Sequence, residues 1–428
     1  MRKKQAIKII SLLWVGSILG AGCVFLTQVL LARELGPAAF GVFAATLAIV
    51  TLLAPFAGFG VGGFWLKAFG QEGWHAVRWL GGSLKFILLN TALVLASLFA
   101  WATLGPHDET TRSLLMVLSG YLLGQVAVEL VSAKLQLEER YLALALWQFL
   151  PHLLRLLLVA MLAVVMVKFI TLHNVAYSYA LISIGVFIGG AILLWRMFRG
   201  HLALKGHGNP SMNTLPPATL PGMGQIAAQS WPFGLAVVFN LIYYQSSIIL
   251  LKYMIGDESA GIYNVAFVIM AAVYILPGVI YQKFLLPKIH RWANHDRQKF
   301  YLVYHTGNRV MLVLGLFSML AIWVLTPWGI PFLFGDSYMG AVFPLSILAL
   351  AAPIQFVATN VGSTLVTQEH MRRKVWLMAA TALINLILNF LLIPSYGING
   401  AALATVISYL VLLYLYIYSA KRYVFITR

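Results

Sequence analysis

The chain has 428 residues, 61% of them hydrophobic and 10% charged, with a mean hydropathy of +0.87. A soluble domain carries about 25% charged residues to cover its surface, so a water-soluble enzyme or binding module is excluded. The formal net charge of +17 invites a nucleic-acid reading, but the placement of the basic residues described below argues for a membrane and for no nucleic-acid partner.

A bilayer core about 30 Å thick needs roughly 20 apolar residues per spanning helix. Twelve stretches meet that need, near 9–31, 41–66, 80–104, 113–133, 142–167, 174–195, 226–251, 260–282, 303–326, 341–366, 375–394 and 398–419. Almost nothing remains for a soluble domain. The expected fold class is an all-α integral membrane protein.

The first stretch follows Arg2, Lys3, Lys4 and Lys8 and is about 23 residues long, more than the 7–15 of a secretory h-region, so it reads as a retained helix. It holds the single cysteine, Cys23, and one cysteine builds neither a disulfide framework nor a thiolate metal cluster. Gly16 and Gly20 form a G-x-x-x-G spacing that favours close helix packing. Gly58-Phe59-Gly60-Val61-Gly62-Gly63, at the end of the second stretch, spells G-x-G-x-x-G. No strand precedes it and no acidic residue follows at the required distance, so it is a packing motif and not a dinucleotide loop. The chain has no H-E-x-x-H, Walker loop or G-x-S-x-G. No catalytic residue, metal site or cofactor is expected.

A charge at the bilayer centre costs about 2.5–3.5 kcal/mol on insertion scales and therefore calls for a reason. In the fourth stretch Glu129 shares a face with Gln125, Ser132 and Gln136, at spacings of four, three and four. Its role is coupling or structural: a proton site, or a pair with His152 or Arg155 on the next helix. Arg155 lies about 13 residues into the fifth stretch, roughly 20 Å deep. It either pairs with a neighbouring helix or lines a cavity for an anion.

Residues 199–224 follow the sixth stretch and contain Asn209-Pro210, Pro216-Pro217 and Pro221-Gly222. They read as a cytoplasmic linker between an N-terminal six-helix bundle (1–198) and a C-terminal one (225–428). The seventh stretch carries Asn240, Tyr244 and Ser247 on one face and ends at Lys252. Amides, hydroxyls and aromatic rings suit sugar contact, and they equally suit helix–helix hydrogen bonding. Arg33 and Lys252 sit at the outer ends of the first and seventh stretches, where an interfacial anchor is the simpler reading. Pro232 and Pro277-Gly278 mark candidate hinges.

With the N-terminus inside, 23 of the 29 Lys/Arg fall in cytoplasmic tails, loops and helix ends. Four fall outside (Arg33, Arg112, Lys168 and Lys252), and Arg155 and Arg309 lie within helices. This is the positive-inside pattern, with both termini cytoplasmic. The basicity reports topology and anionic membrane lipid.

The halves are related. A shift of 220 residues places Leu30 on Leu250, Leu31 on Leu251, Gly36 on Gly256, Gly41 on Gly261 and Ile49 on Ile269. Six helices per half gives both repeats one orientation, as in transporters built from parallel repeats.

The same turn carries a family resemblance. Leu31-Ala32-Arg33-Glu34-Leu35-Gly36-Pro37 with Phe40-Gly41-Val42-Phe43 resembles the first-loop signature of bacterial polysaccharide transporters. These are the O-antigen-type lipid-linked oligosaccharide flippases of the multidrug/oligosaccharidyl-lipid/polysaccharide (MOP) superfamily. Ile249–Asp257 with Ala260–Tyr263, Thr364–Gln368, and Asn385–Ala402 with Asn389, Pro394 and Gly397 match in the same order. The resemblance implies two bundles around a polar central cavity and alternating access. It also implies an undecaprenyl-diphosphate-linked oligosaccharide crossing the bacterial inner membrane for surface polysaccharide synthesis. Its implied partners are that lipid-linked oligosaccharide, membrane lipids, and a polymerase and glycosyltransferases of the same pathway. On this reading the candidate substrate-binding residues are Arg155, Arg33, Lys252, Asn240, Tyr244 and Ser247.

The rival within the superfamily is a multidrug/cation antiporter, which the family implies would hold its cation on membrane carboxylates in the first, seventh or eighth helix. Residues 9–31, 226–251 and 260–282 contain no Asp or Glu. A membrane-embedded polymerase or acyltransferase shares the helix count, but the outer loops here are short and His152 is alone in its helix.

Overall fold

The computed structural model describes residues 3–164, 170–205, 220–278, 296–365 and 371–425, with side chains from Leu13 onward. Lys168, most of the linker (206–219), the ends of the fifth and eighth stretches (165–167 and 279–282) and Val366–Gln368 lie outside the described residues. Every regular element among the described residues is helical.

The helices are α1 (Lys3–Gly58), α2 (Val61–Glu72), α3 (Arg78–Leu104), α4 (Glu109–Leu137), α5 (Tyr141–Val164), α6 (Leu172–Phe198), α7 (Met223–Met254), α8 (Asp257–Gly278), α9 (Arg297–Phe334), α10 (Val342–Ala349), α11 (Ala351–Thr364) and α12 (Met371–Ser419). They are not one span each. Eight described stretches are long and apolar enough to cross a membrane, and nine if α10 and α11, bent by 43°, form one broken span. The first stretch runs from Leu13 to Leu104 and holds three of the sequence segments, and the last, Met371–Phe425, holds two. Counted separately, these bring the architecture to the twelve spans of the sequence pattern.

Glycine makes the breaks inside the long helices. Gly36 interrupts α1 at φ 72°, ψ 170°, and Gly397 interrupts α12 at φ 53°, ψ −131°. A residue with a Cβ rarely adopts either conformation. Gly256, the repeat partner of Gly36, has φ 141° and separates α7 from α8. Three other helices have starts capped by a side chain. Asp108 accepts a hydrogen bond from the Thr111 amide at 3.3 Å, Thr171 from Asn174 at 3.3 Å, and Asp296 from Lys299 at 3.0 Å, each serving an N–H that has no partner within its own helix.

The chain forms two compact units. One comprises Met1–Gly20 and Thr46–Val238, the other Ala21–Ala45 and Phe239–Arg428. Their division differs from the halves drawn from sequence in that residues 21–45 join the second unit and 225–238 the first.

The first unit is held by close helix approach. A Cβ on Gly124 of α4 would lie 2.7 Å from Ser183 Cβ of α6, and one on Gly190 would lie 2.8 Å from Ala127 Cβ. Gly16 of α1 meets Ala145 of α5, where an added Cβ would stand 3.3 Å from the alanine methyl. Gly60, at φ 74°, abuts the backbone of Gly234 in α7, so the glycine-rich motif is a packing seam.

The second unit is held by reciprocal glycines and a polar lattice. A Cβ on Gly41 would fall 1.8 Å from the carbonyl oxygen of Asp257, and one on Gly261 would fall 2.0 Å from that of Pro37. Pro37 and Asp257 are themselves related by the 220-residue repeat, so equivalent turns meet as a symmetric pair. Ser246 and Ser247 of α7 donate to Asn385 and Asn389 of α12 at 2.9 and 3.1 Å, and Asn385 donates to Ser408 at 3.1 Å. Outward, α9 exposes Phe317, Leu325, Trp328 and Phe332, an apolar surface that suits lipid.

Candidate functional site

In the first unit, Arg155 is 5% exposed. Its Nη2 donates to Ser183 Oγ of α6 at 3.0 Å. The guanidinium lies 4.8 Å from the ring centroid of Tyr121 on α4 and 5.3 Å from that of Tyr179 on α6. Such contacts are worth about 2 kcal/mol or more each when desolvated. Its Nε is buried without a partner. Gly120 and Gly124 bring α6 close enough to α4 for both tyrosines to reach the cation.

Glu129 does not pair with Arg155 or His152. Its carboxylate takes a hydrogen bond from the Gly62 backbone. A Cβ at Gly58 would lie 2.8 Å from Glu129 Oε2, and one at Gly62 would lie 3.4 Å from Oε1. The acid therefore sits in a glycine-lined notch at the N-terminus of α2, where unsatisfied N–H groups favour an anion. The reason for the difference is spacing. Arg155 meets α4 at Tyr121, and eight residues of helix put Glu129 about 12 Å further along. Gln125 is half-buried on the same helix.

In the second unit a cavity of about 300 Å³ is lined by residues of α7, α11 and α12. Its polar side is Asn240, Gln355, Thr359, Ser363 and Lys374, and Tyr243 and Tyr416 with Ala358, Gly362, Met378 and Leu412 form the rest. The volume is at the lower end of the roughly 300–1,000 Å³ range of small-molecule sites. Lys374 is half-buried, with Nζ 5.8 Å from the centroid of Tyr416. None of the ion pairs among the described residues involves it.

The sequence-derived residues divide accordingly. Asn240 lines the cavity. Tyr244 stands behind it, accepting from Gln355 Nε2 at 3.3 Å and packing on Phe267, Tyr274 and Tyr409. Ser247 is committed to Asn389. Lys252 is ion-paired to Asp257. Arg33 is exposed and donates to the Phe332 carbonyl. Sequence reasoning missed Lys374, which follows Arg372 and Arg373 and looks like a cytoplasmic flank. A signal was present: Lys374, Met378, Thr381, Asn385 and Asn389 recur at spacings of four, three, four and four, one face of α12.

Twelve apolar spans, an internal parallel repeat and a cavity between helices define the class as a polytopic membrane transport protein. The polysaccharide biosynthesis protein family matches residues 7–293, and the chain belongs to that family. The probable low-salt glycan biosynthesis flippase Agl15 of Haloferax volcanii is 24% identical over 401 residues, covering 93% of this chain and 80% of the relative. Among solved structures, the lipid II flippase MurJ in an inward closed conformation superposes with a TM-score of 0.73 at 14% identity, over 96% of this chain and 87% of that one. An inward-facing multidrug resistance MATE transporter of the MOP superfamily gives 0.65 at 14% identity, over 97% and 98%. The fold is therefore shared by flippases and drug transporters alike, and the choice between them rests on the residues.

Proposed function

We propose that this chain is a flippase that moves a lipid-linked oligosaccharide, carried on undecaprenyl diphosphate, across the bacterial cytoplasmic membrane for surface polysaccharide synthesis. It works by alternating access with both termini in the cytoplasm. The observation that carries this reading is the cavity of the second unit, whose lining combines amides, hydroxyls, tyrosine rings and aliphatic side chains with one lysine and no carboxylate. A cation antiporter binds cations, and a lysine repels them; sugar hydroxyls bond amides and hydroxyls, and sugar faces lie on aromatic rings. The family and the flippase relative support the same choice.

The test is transport in proteoliposomes of the purified chain. A fluorescent undecaprenyl-diphosphate oligosaccharide should reach the opposite leaflet faster than in empty liposomes. Exchange of organic cations for protons or sodium, with no movement of the lipid-linked sugar, would overturn the proposal. The orientation is tested separately: a phosphatase reporter fused after His207 should be inactive and one after Asp336 active.

A further inference from the structure

We infer that the cavity of the second unit is a subsite for an anionic sugar, its ring against Tyr416, its hydroxyls on Gln355, Thr359 and Ser363, and its negatively charged oxygens on Lys374. This rests on the flippase reading and names the chemistry that reading leaves open.

The lining is rich in acceptors. Thr359 donates its hydroxyl proton to the Gln355 carbonyl at 2.8 Å, and Ser363 donates to the Asn360 carbonyl at 2.6 Å. Each oxygen keeps lone pairs for a ligand donor. Gln355, which also lines the cavity, gives one amide proton to Tyr244 and keeps the other. Sugar hydroxyls can donate to those oxygens and accept from the Asn240 and Gln355 amides.

Lys374 is the exception. Its ammonium has three protons to donate and no carboxylate beside it among the described residues. The Tyr416 ring stands at 5.8 Å, near the limit of a cation–π contact. Gly362 keeps room there: a Cβ at that position would lie 2.8 Å from the Tyr416 ring and 3.6 Å from Lys374 Nζ. A half-buried ammonium with no carboxylate partner among the described residues suits anionic oxygens from a ligand, and a neutral sugar supplies none. Two sources supply that chemistry: the phosphate on the first sugar of the lipid carrier, or a carboxylate on an acidic sugar of the oligosaccharide.

Binding of glucose 1-phosphate, glucuronate and glucose to the full-length protein in nanodiscs, followed by ligand-observed NMR, separates them. At least one charged sugar should bind about tenfold more tightly than glucose, the scale of one charge-assisted hydrogen bond. Lys374→Gln should erase that preference and Lys374→Arg should keep it. Preference for glucose 1-phosphate alone assigns the subsite to the carrier phosphate, and for glucuronate alone to an acidic sugar; preference for both supports recognition by charge. Thr359→Val, which leaves the charge in place, should weaken all three ligands together and covers the case in which Lys374→Gln does not fold. No preference in the wild type, a preference that survives in Lys374→Gln, or unchanged binding in Thr359→Val would overturn the subsite. Flipping is scored independently. Transport without the preference defeats the subsite alone, and the preference without any transport of lipid-linked sugar defeats the flippase reading alone.

Discussion

Arg155 and Lys374 are both cations held among apolar helices, yet their surroundings differ in kind. Arg155 is enclosed, with a tyrosine from each of two helices against its guanidinium and a serine hydroxyl accepting from Nη2. Lys374 faces a cavity, with the Tyr416 ring at 5.8 Å. A charge stacked on rings from two helices and bonded to a hydroxyl on one of them ties those helices together. A charge beside a cavity, with no ion pair among the described residues, leaves room for a ligand. Burial alone does not make this distinction; the groups around each cation do.

Removing the enclosed cation should cost most. Arg155→Ala loses the packing of a long buried side chain and both ring contacts, about 3 kcal/mol or more. Thermal unfolding in detergent should show it as a large drop, with Arg155→Lys recovering part of the loss and of the transport. If Arg155→Gln unfolds like the wild type but no longer transports, Arg155 belongs on the substrate path and the contrast with Lys374 fails.

A smaller effect comes from disturbing the frame around Arg155. An added Cβ at Gly124 meets Ser183 at Cβ and at backbone atoms 2.9 Å away, so α6 must shift with its Tyr179 and Ser183. Gly124→Ala should destabilise the protein by about 1–3 kcal/mol, the usual range for overpacking. The same variant should leave the ligand preference at Lys374 unchanged, because that lysine lies in the other unit. Loss of both together would show that the two sites are coupled.

Lys374→Gln should change unfolding by less than about 1 kcal/mol, since it removes no ion pair seen among the described residues and little packing. Transport should nevertheless fall. The opposite outcome, a strongly destabilised protein with normal transport, would make Lys374 a second structural cation.

Much of this architecture is legible in the sequence because it depends on local chemistry. Hydrophobic length marks the spans, and Gly36-Pro37 with its echo at Gly256-Asp257 marks equivalent turns. The sites are less legible because they depend on which helix faces meet. Ser247 and Tyr244 share a helix face with Asn240, but α12 takes Ser247 and α11 takes Tyr244, leaving Asn240 at the cavity. Lys374 was hidden for a different reason. In a linear reading three basic residues at a helix start are one flank, whereas the helix turns the third inward.

The smallest effect is expected at Glu129, and it bears on how transport is driven. A diphosphate-linked lipid carries about two negative charges, and the cell interior is negative. Each charge moved across 100 mV is worth about 2.3 kcal/mol, so exporting two through the full field yields about 4.6 kcal/mol. That is a bias of roughly a thousandfold or more, enough for net flipping without a coupling ion. Glu129 is the residue best placed to contradict this, as a carboxylate inside a span. Its position speaks for a structural role: it takes the Gly62 hydrogen bond at the start of α2, in a notch that Gly58 and Gly62 leave open. Glutamine keeps an acceptor for that amide and loses only the charge at a helix N-terminus, about 0.3–1 kcal/mol. In proteoliposomes with an imposed inside-negative potential and no proton or sodium gradient, lipid-linked sugar should therefore accumulate in the outer leaflet at equal rates for the wild type and Glu129→Gln. A flux that requires a proton gradient and vanishes in Glu129→Gln would instead make this carboxylate the proton carrier.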